Sequence, residues 1–146
     1  MHAAGRRVMI APYPNGARDM KHTGWVRGVL LVAGVLLAFA AQAAFSNKWR
    51  LKVDGHASSA GTIQLSITPE GGAARQVDIP VAKDLHENHV ARLIRDALKT
   101  ALGKGYHVEI DDGEDVLVKR KGSHPKLDIV IAGNSAQGIT VKEHTE

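Results

Sequence analysis

Residues 62–103 read TIQLSITPEGGAARQVDIPVAKDLHENHVARLIRDALKTALG. Within this stretch the hydrophobic period changes once, from two residues to about 3.6. Thr62–Thr68 alternates strictly, with Ile63, Leu65 and Ile67 on one side and Thr62, Gln64, Ser66 and Thr68 on the other. Successive side chains of an extended chain point to opposite faces, so this reads as a strand with one buried and one wet face. Pro69-Glu70-Gly71-Gly72 is turn chemistry. Val77, Ile79 and Val81 resume the alternation. Pairing Ile67 with Val77, Leu65 with Ile79 and Ile63 with Val81 brings both apolar rows to one face. Pro80 lacks a ladder donor, which puts the returning strand at a sheet edge or ends it there.

The period then lengthens. Asp84 and Glu87 have the spacing of a capping box. Val90, Leu93, Ile94, Ala97, Leu98 and Ala101 fall on one helical stripe, with Asn88, Arg92, Arg95, Asp96 and Lys99 opposite. Gly103 is placed to stop the helix. The stripe needs a partner, and the inward rows of the strands supply one.

Outward from this unit, more strands appear. Trp49–Asp54 alternates apolar and charged residues, and Gly55–Gly61 (GHASSAG) reads as a flexible loop. Tyr106–Ile110 and Val116–Arg120 flank Asp111-Asp112-Gly113-Glu114-Asp115. A two-residue Asp112-Gly113 turn would set Ile110 against Asp115. A loop of three or five residues pairs Ile110 with Val116 and Val108 with Val118, which keeps the apolar set on one face. Leu127, Ile129 and Ile131 form the next strand, residues 132–138 a loop, and Ile139 and Val141 a short last strand. The tail KEHTE is expected to fray. The order βββ-α-ββββ predicts an α+β fold: a mainly antiparallel curled sheet with one amphipathic helix packed on one face. One helix cannot cover seven strands, so the sheet curls or a terminal pair lies elsewhere.

A different segment sets the compartment. From Gly28 to Ala41 no residue is charged, Lys21 and Arg27 precede the run, and Ala41-Gln42-Ala43 follows. A basic region, a short apolar region and an A-x-A site make a secretory signal peptide, with cleavage between Ala43 and Ala44. The alternative is an uncleaved anchor, but a bilayer needs about 20 apolar residues. A start at Met20 gives a compact signal, so residues 1–19 read as an over-extended start. The expected organisation is a leader over 1–43 and one small domain over 44–146, exported to the periplasm or outside a bacterial cell. The membrane enters only through the signal segment if it stays uncleaved.

The chain carries 19 Lys and Arg against 15 Asp and Glu. Arg6, Arg7, Arg18, Lys21 and Arg27 against Asp19 give the leader the whole excess, and the remainder is neutral. A neutral, aromatic-poor domain excludes the basic surface that binds nucleic acid by counterion release and the stacking platforms that bind single strands. There is no cysteine, so this exported domain relies on packing where others use disulfides.

Four groups of residues are candidates for chemistry. Asp111, Asp112, Glu114 and Asp115 set four carboxylates around a glycine, a donor set for a hard cation such as Ca²⁺, although the spacing of a Ca²⁺ loop is absent; the plain reading is a solvated hairpin tip. His86 and His89 are neighbours on a helix and of the type that binds Zn²⁺ or Cu²⁺, but no motif supplies further ligands, and His86 projects into the apolar stripe. His56, Ser58 and Ser59 lack the oriented base and oxyanion hole of a hydrolase, so they read as loop. The row Thr62, Gln64, Ser66 and Thr68 is a polar strip fitted to a protein, peptide or glycan, and an open sheet edge can add a partner's strand. The leading expectation is a non-enzymatic accessory or binding module of the bacterial envelope without a cofactor. The alternative is a calcium- or transition-metal-dependent protein.

Overall fold

The computed structural model describes residues 43–146. The apolar run Val29–Ala41 and the leader before it lie outside the described residues. The element order is β1 (Lys48–Gly55), β2 (Gly61–Pro69), β3 (Arg75–Val81), α1 (Glu87–Leu102), β4 (Tyr106–Asp111), β5 (Asp115–Arg120), β6 (Leu127–Asn134) and β7 (Ile139–Thr145), with a 3-10 turn at Gly103–Gly105 after α1. The fold is α+β, antiparallel, with one helix.

The strands form two sheets where one curled sheet was expected. One has the order β4-β5-β1-β7 and the other β3-β2-β6, with every neighbour antiparallel. The helix contacts β3 of the smaller sheet and β4, β1 and β5 of the larger one. It therefore reaches both sheets, and this is how one helix serves seven strands. At the other side, Ser46 bridges Leu127 ahead of β1, and the Trp49 indole N–H donates to the Leu127 carbonyl at 2.7 Å. Leu51, Val53, Ile63, Leu65, Ile67, Ile79, Val90, Ile94, Leu98, Val108, Val116, Val118 and Ile129 share one buried cluster. Each such side chain contributes ~1.5–3 kcal/mol relative to exposure, so the alternating rows and the helical stripe are the main source of stability.

Several expectations need correction. The β2–β3 hairpin keeps the expected faces, but its register is two residues tighter: Ile63 faces Ile79, Leu65 faces Val77 and Ile67 faces Arg75. The cause is the turn. Gly72 N–H donates to the Pro69 carbonyl at 2.8 Å, and Gly71 takes a φ of 76°, a left-handed conformation natural to glycine. The chain reverses about Gly71. The capping box does not form. Asp84 has a φ of 68°, and its N–H is engaged by the Ala57 carbonyl at 2.7 Å. The helix starts later, with His86 as an N-cap that makes no side-chain cap bond. Leu93 is 38% exposed and off the buried stripe, which Val90, Ala91, Ile94 and Leu98 define.

GHASSAG is pinned rather than flexible. His56 N–H bonds to Gly138 O, Ala57 N–H to Leu85 O and Ser58 N–H to Gln137 O, and Ala57 is fully buried. The KEHTE tail does not fray: His144 and Thr145 pair with Arg50 and Trp49 of β1. β6 runs on through Asn134, with a register shift against β2 between Gln64 and Leu65 that leaves Ala132 as the extra residue. The β4–β5 hairpin has the expected register, Ile110 to Val116 and Val108 to Val118, around a three-residue loop in which Asp112 has a φ of 51°.

Candidate functional site

The two sheets turn very different outer faces to solvent. On the four-stranded sheet most of the charges around Arg50 satisfy one another, while Lys142 of β7 stands exposed. Arg50 of β1 donates to Asp111 Oδ2 and Asp115 Oδ2, each at 2.8 Å, and also to Glu146. Lys48 pairs with Glu146, and Lys119 and His107 hold Glu109 at 2.6 and 2.9 Å. Hydrogen bonds from Lys119 and His107 lower the Glu109 carboxyl from 4.5 to about 2, and those from Arg50 and Lys48 do the same for Glu146. The Arg50 guanidinium is raised further by Glu146, Asp115 and Asp111. Leu117, opposite Arg50 and Glu109 on this face, is only 3% exposed.

Two of the acidic-loop candidates therefore already have a cation, and it is a guanidinium. Asp112 is exposed at the tip and Glu114 half-buried. Asp115 is 8% exposed, and its Oδ1 is buried with no hydrogen-bond partner among the described residues. Its charge rests on the single bond from Arg50 to Oδ2. Spacing alone gave no sign of this arrangement, because Arg50 comes from a strand 61 and 65 residues away.

The outer face of β3-β2-β6 is uncommitted. Thr62, Gln64, Ser66 and Thr68 are half-buried along β2. Directly opposite them stand Pro80, Asp78 and Gln76 of β3, and Val130 and Asp128 of β6. Residues directly opposite in a ladder share a face. Val130 is 42% exposed, one of two large apolar side chains so exposed among the described residues. Gly133 lies opposite Gln64, and a Cβ added there would meet Gln64 Oε1 at 2.9 Å, so the Gln64 side chain lies across Gly133. Gln76 Nε2 donates to Asp78 Oδ1 at 2.8 Å. The face is thus polar and weakly acidic, with an apolar spot at Val130.

The histidines are arranged differently from the expectation. His86 and His89 are both exposed; His86 does not enter the apolar stripe. The partner of His86 is His56, whose ring centre lies 4.5 Å away at an interplanar angle of 60°. Among the described residues no three His, Cys, Asp or Glu side chains are grouped so as to hold a metal. A hollow of about 110 Å³ is lined by Ile67, Pro69, Arg75, Leu102, Tyr106 and Leu127 among others, smaller than the several hundred Å³ typical of small-molecule sites. The Arg75 guanidinium crosses its rim to the Ala101 carbonyl, where a cation complements the helix C-terminus.

Comparison with known proteins leaves the reading to the residues themselves: no protein-family model matches this sequence, and no curated protein matches it significantly.

Proposed function

We propose that this protein is a non-enzymatic binding module exported to the bacterial envelope, and that it meets its partner with the outer face of β3-β2-β6. One observation carries the choice of face. Arg50, Lys48 and Lys119 of the larger sheet are engaged by carboxylates of the same sheet or of the C-terminal Glu146, whereas Gln64, Ser66, Thr68, Asp78 and Val130 present unengaged or weakly engaged groups side by side. Such a face suits an extended peptide or a glycan, recognised by hydroxyl and amide groups with Val130 as an apolar contact. The calcium reading of Asp111–Asp115 is less well supported, because Arg50 occupies Asp111 and Asp115.

Two features support export with cleavage after Ala43. Ala43 and Ala44 lie in irregular chain ahead of β1, so cleavage between them removes no element of the fold. The Ala44 N–H already faces Asp128 Oδ1 at 3.2 Å; after cleavage the same nitrogen is an ammonium beside a carboxylate. The test is cell fractionation with N-terminal sequencing. Ala44 as the first residue of protein outside the cytoplasm is expected, and cytoplasmic protein retaining residues 1–43 contradicts the reading.

A further inference from the structure

The His56–His86 pair carries an inference that is independent of the sheet-face reading. Three backbone interactions fix its geometry. The His56 N–H bonds to Gly138 O at 3.0 Å, the Ala57 N–H to Leu85 O at 2.8 Å, and the Asp84 N–H to Ala57 O at 2.7 Å. His56 and His86 themselves form a β-bridge. On the far side of His86, its carbonyl accepts the N–H groups of His89 and Val90 in the first helical turn. Both Cα positions are therefore held while both rings are exposed. Little backbone freedom remains to be lost when the rings engage a ligand.

Imidazole is a ligand for late first-row cations, and affinity rises along the series to Cu²⁺. The ring separation is of the size that one shared ion requires. A metal–nitrogen bond of about 2.0–2.1 Å puts each ring centre ~3.2 Å from the ion. Two rings at a right angle about one ion then lie ~4.5 Å apart, and two at the tetrahedral angle ~5.2 Å apart. The observed 4.5 Å lies within reach of either arrangement, because the exposed rings turn about their side-chain bonds while the backbone is held. Among the described residues no third protein ligand is grouped with the pair, which leaves the remaining positions to water. Glu87, in the first turn of α1, offsets the unfavourable positive end of the helix dipole.

We propose that His56 and His86 form a two-histidine site for a late first-row divalent cation, binding Cu²⁺ more tightly than Zn²⁺ as the affinity order of imidazole sites requires. The site differs from a His86/His89 pair in its partner, which comes from the loop after β1 and not from the helix. The test is titration of the purified protein with substoichiometric Cu²⁺ while following histidine ring resonances by NMR. His56 and His86 are expected to broaden first and together, ahead of His89, His107, His124 and His144. H56Q is expected to raise the Cu²⁺ Kd at least tenfold, and H89Q to leave it unchanged. Broadening of His86 and His89 that leaves His56 sharp, simultaneous broadening of all the histidines, or an unchanged Kd in H56Q overturns the proposal. The wild-type broadening pattern decides the matter even if a variant loses stability.

Discussion

Trp49 and Leu127 tie the two sheets together. The buried indole of β1 donates its N–H to the first carbonyl of β6 at 2.7 Å, and the same carbonyl accepts the Ser46 N–H at 2.8 Å. Both lone pairs of one buried oxygen are thus used across the seam between sheets. Trp49→Phe keeps an aromatic ring but removes one of these donors. The expected cost is ~1–2 kcal/mol, a lost hydrogen bond plus a smaller ring. Urea unfolding should show a lower midpoint at unchanged slope; an unchanged midpoint would mean that the seam does not depend on this bond.

The helix offers a comparison between neighbours. Ile94 is fully buried and Leu93 is 38% exposed. Ile94→Ala should cost ~2–5 kcal/mol, and Leu93→Ala about 0.5 kcal/mol or less. Equal costs would place the buried stripe wrongly.

The charged outer face of the larger sheet sets an acid limit. Glu109 and Glu146 titrate at about 2 in the folded protein against 4.5 ordinarily. A lowered carboxyl pKa stabilises the fold above its unfolded value, and that contribution is lost as pH falls through the folded value. The melting temperature should therefore drop between pH 4.5 and about 2, and E109Q with E146Q should flatten that drop. Removing Arg50 leaves Asp115 buried with no counter-ion, so R50Q should destabilise at neutral pH, and D115N added to it should recover part of the loss.

Gly138 marks the contact that positions His56. It has a φ of 81°, and a Cβ there would lie 2.2 Å from the His56 carbonyl. Gly138→Ala should cost more than Gly71→Ala, where φ is also positive but nothing lies within 4 Å. For Gly71→Ala the conformational penalty alone applies, about 1 kcal/mol. Similar melting temperatures for the two variants would show that the Gly138 contact yields easily.

What the sequence disclosed follows from the range of each interaction. The helix and the order of elements were legible because period is a local property. The β4–β5 register was legible because a slip of one residue would have turned Val108 and Ile110 outward. The β2–β3 register was not, because a shift of two residues preserves every face and only the turn about Gly71 decides it. The capping box was misread because Asp84 serves Ala57, a residue far away in sequence. The polar row on β2 was legible as a row, but its neighbours Val130 and Asp128 come from β6. The same limit hid the hold of Arg50 on the acidic loop and the approach of His56 to His86, since each joins strands or loops distant along the chain.

The central claim is that recognition belongs to the outer face of β3-β2-β6. It is tested most directly by a photo-crosslinking side chain placed in intact cells at Ser66, in the middle of that face, and separately at the exposed Lys142 of β7. A discrete adduct is expected from position 66 and none from position 142. No adduct at 66, or equal adducts at both positions, would contradict it.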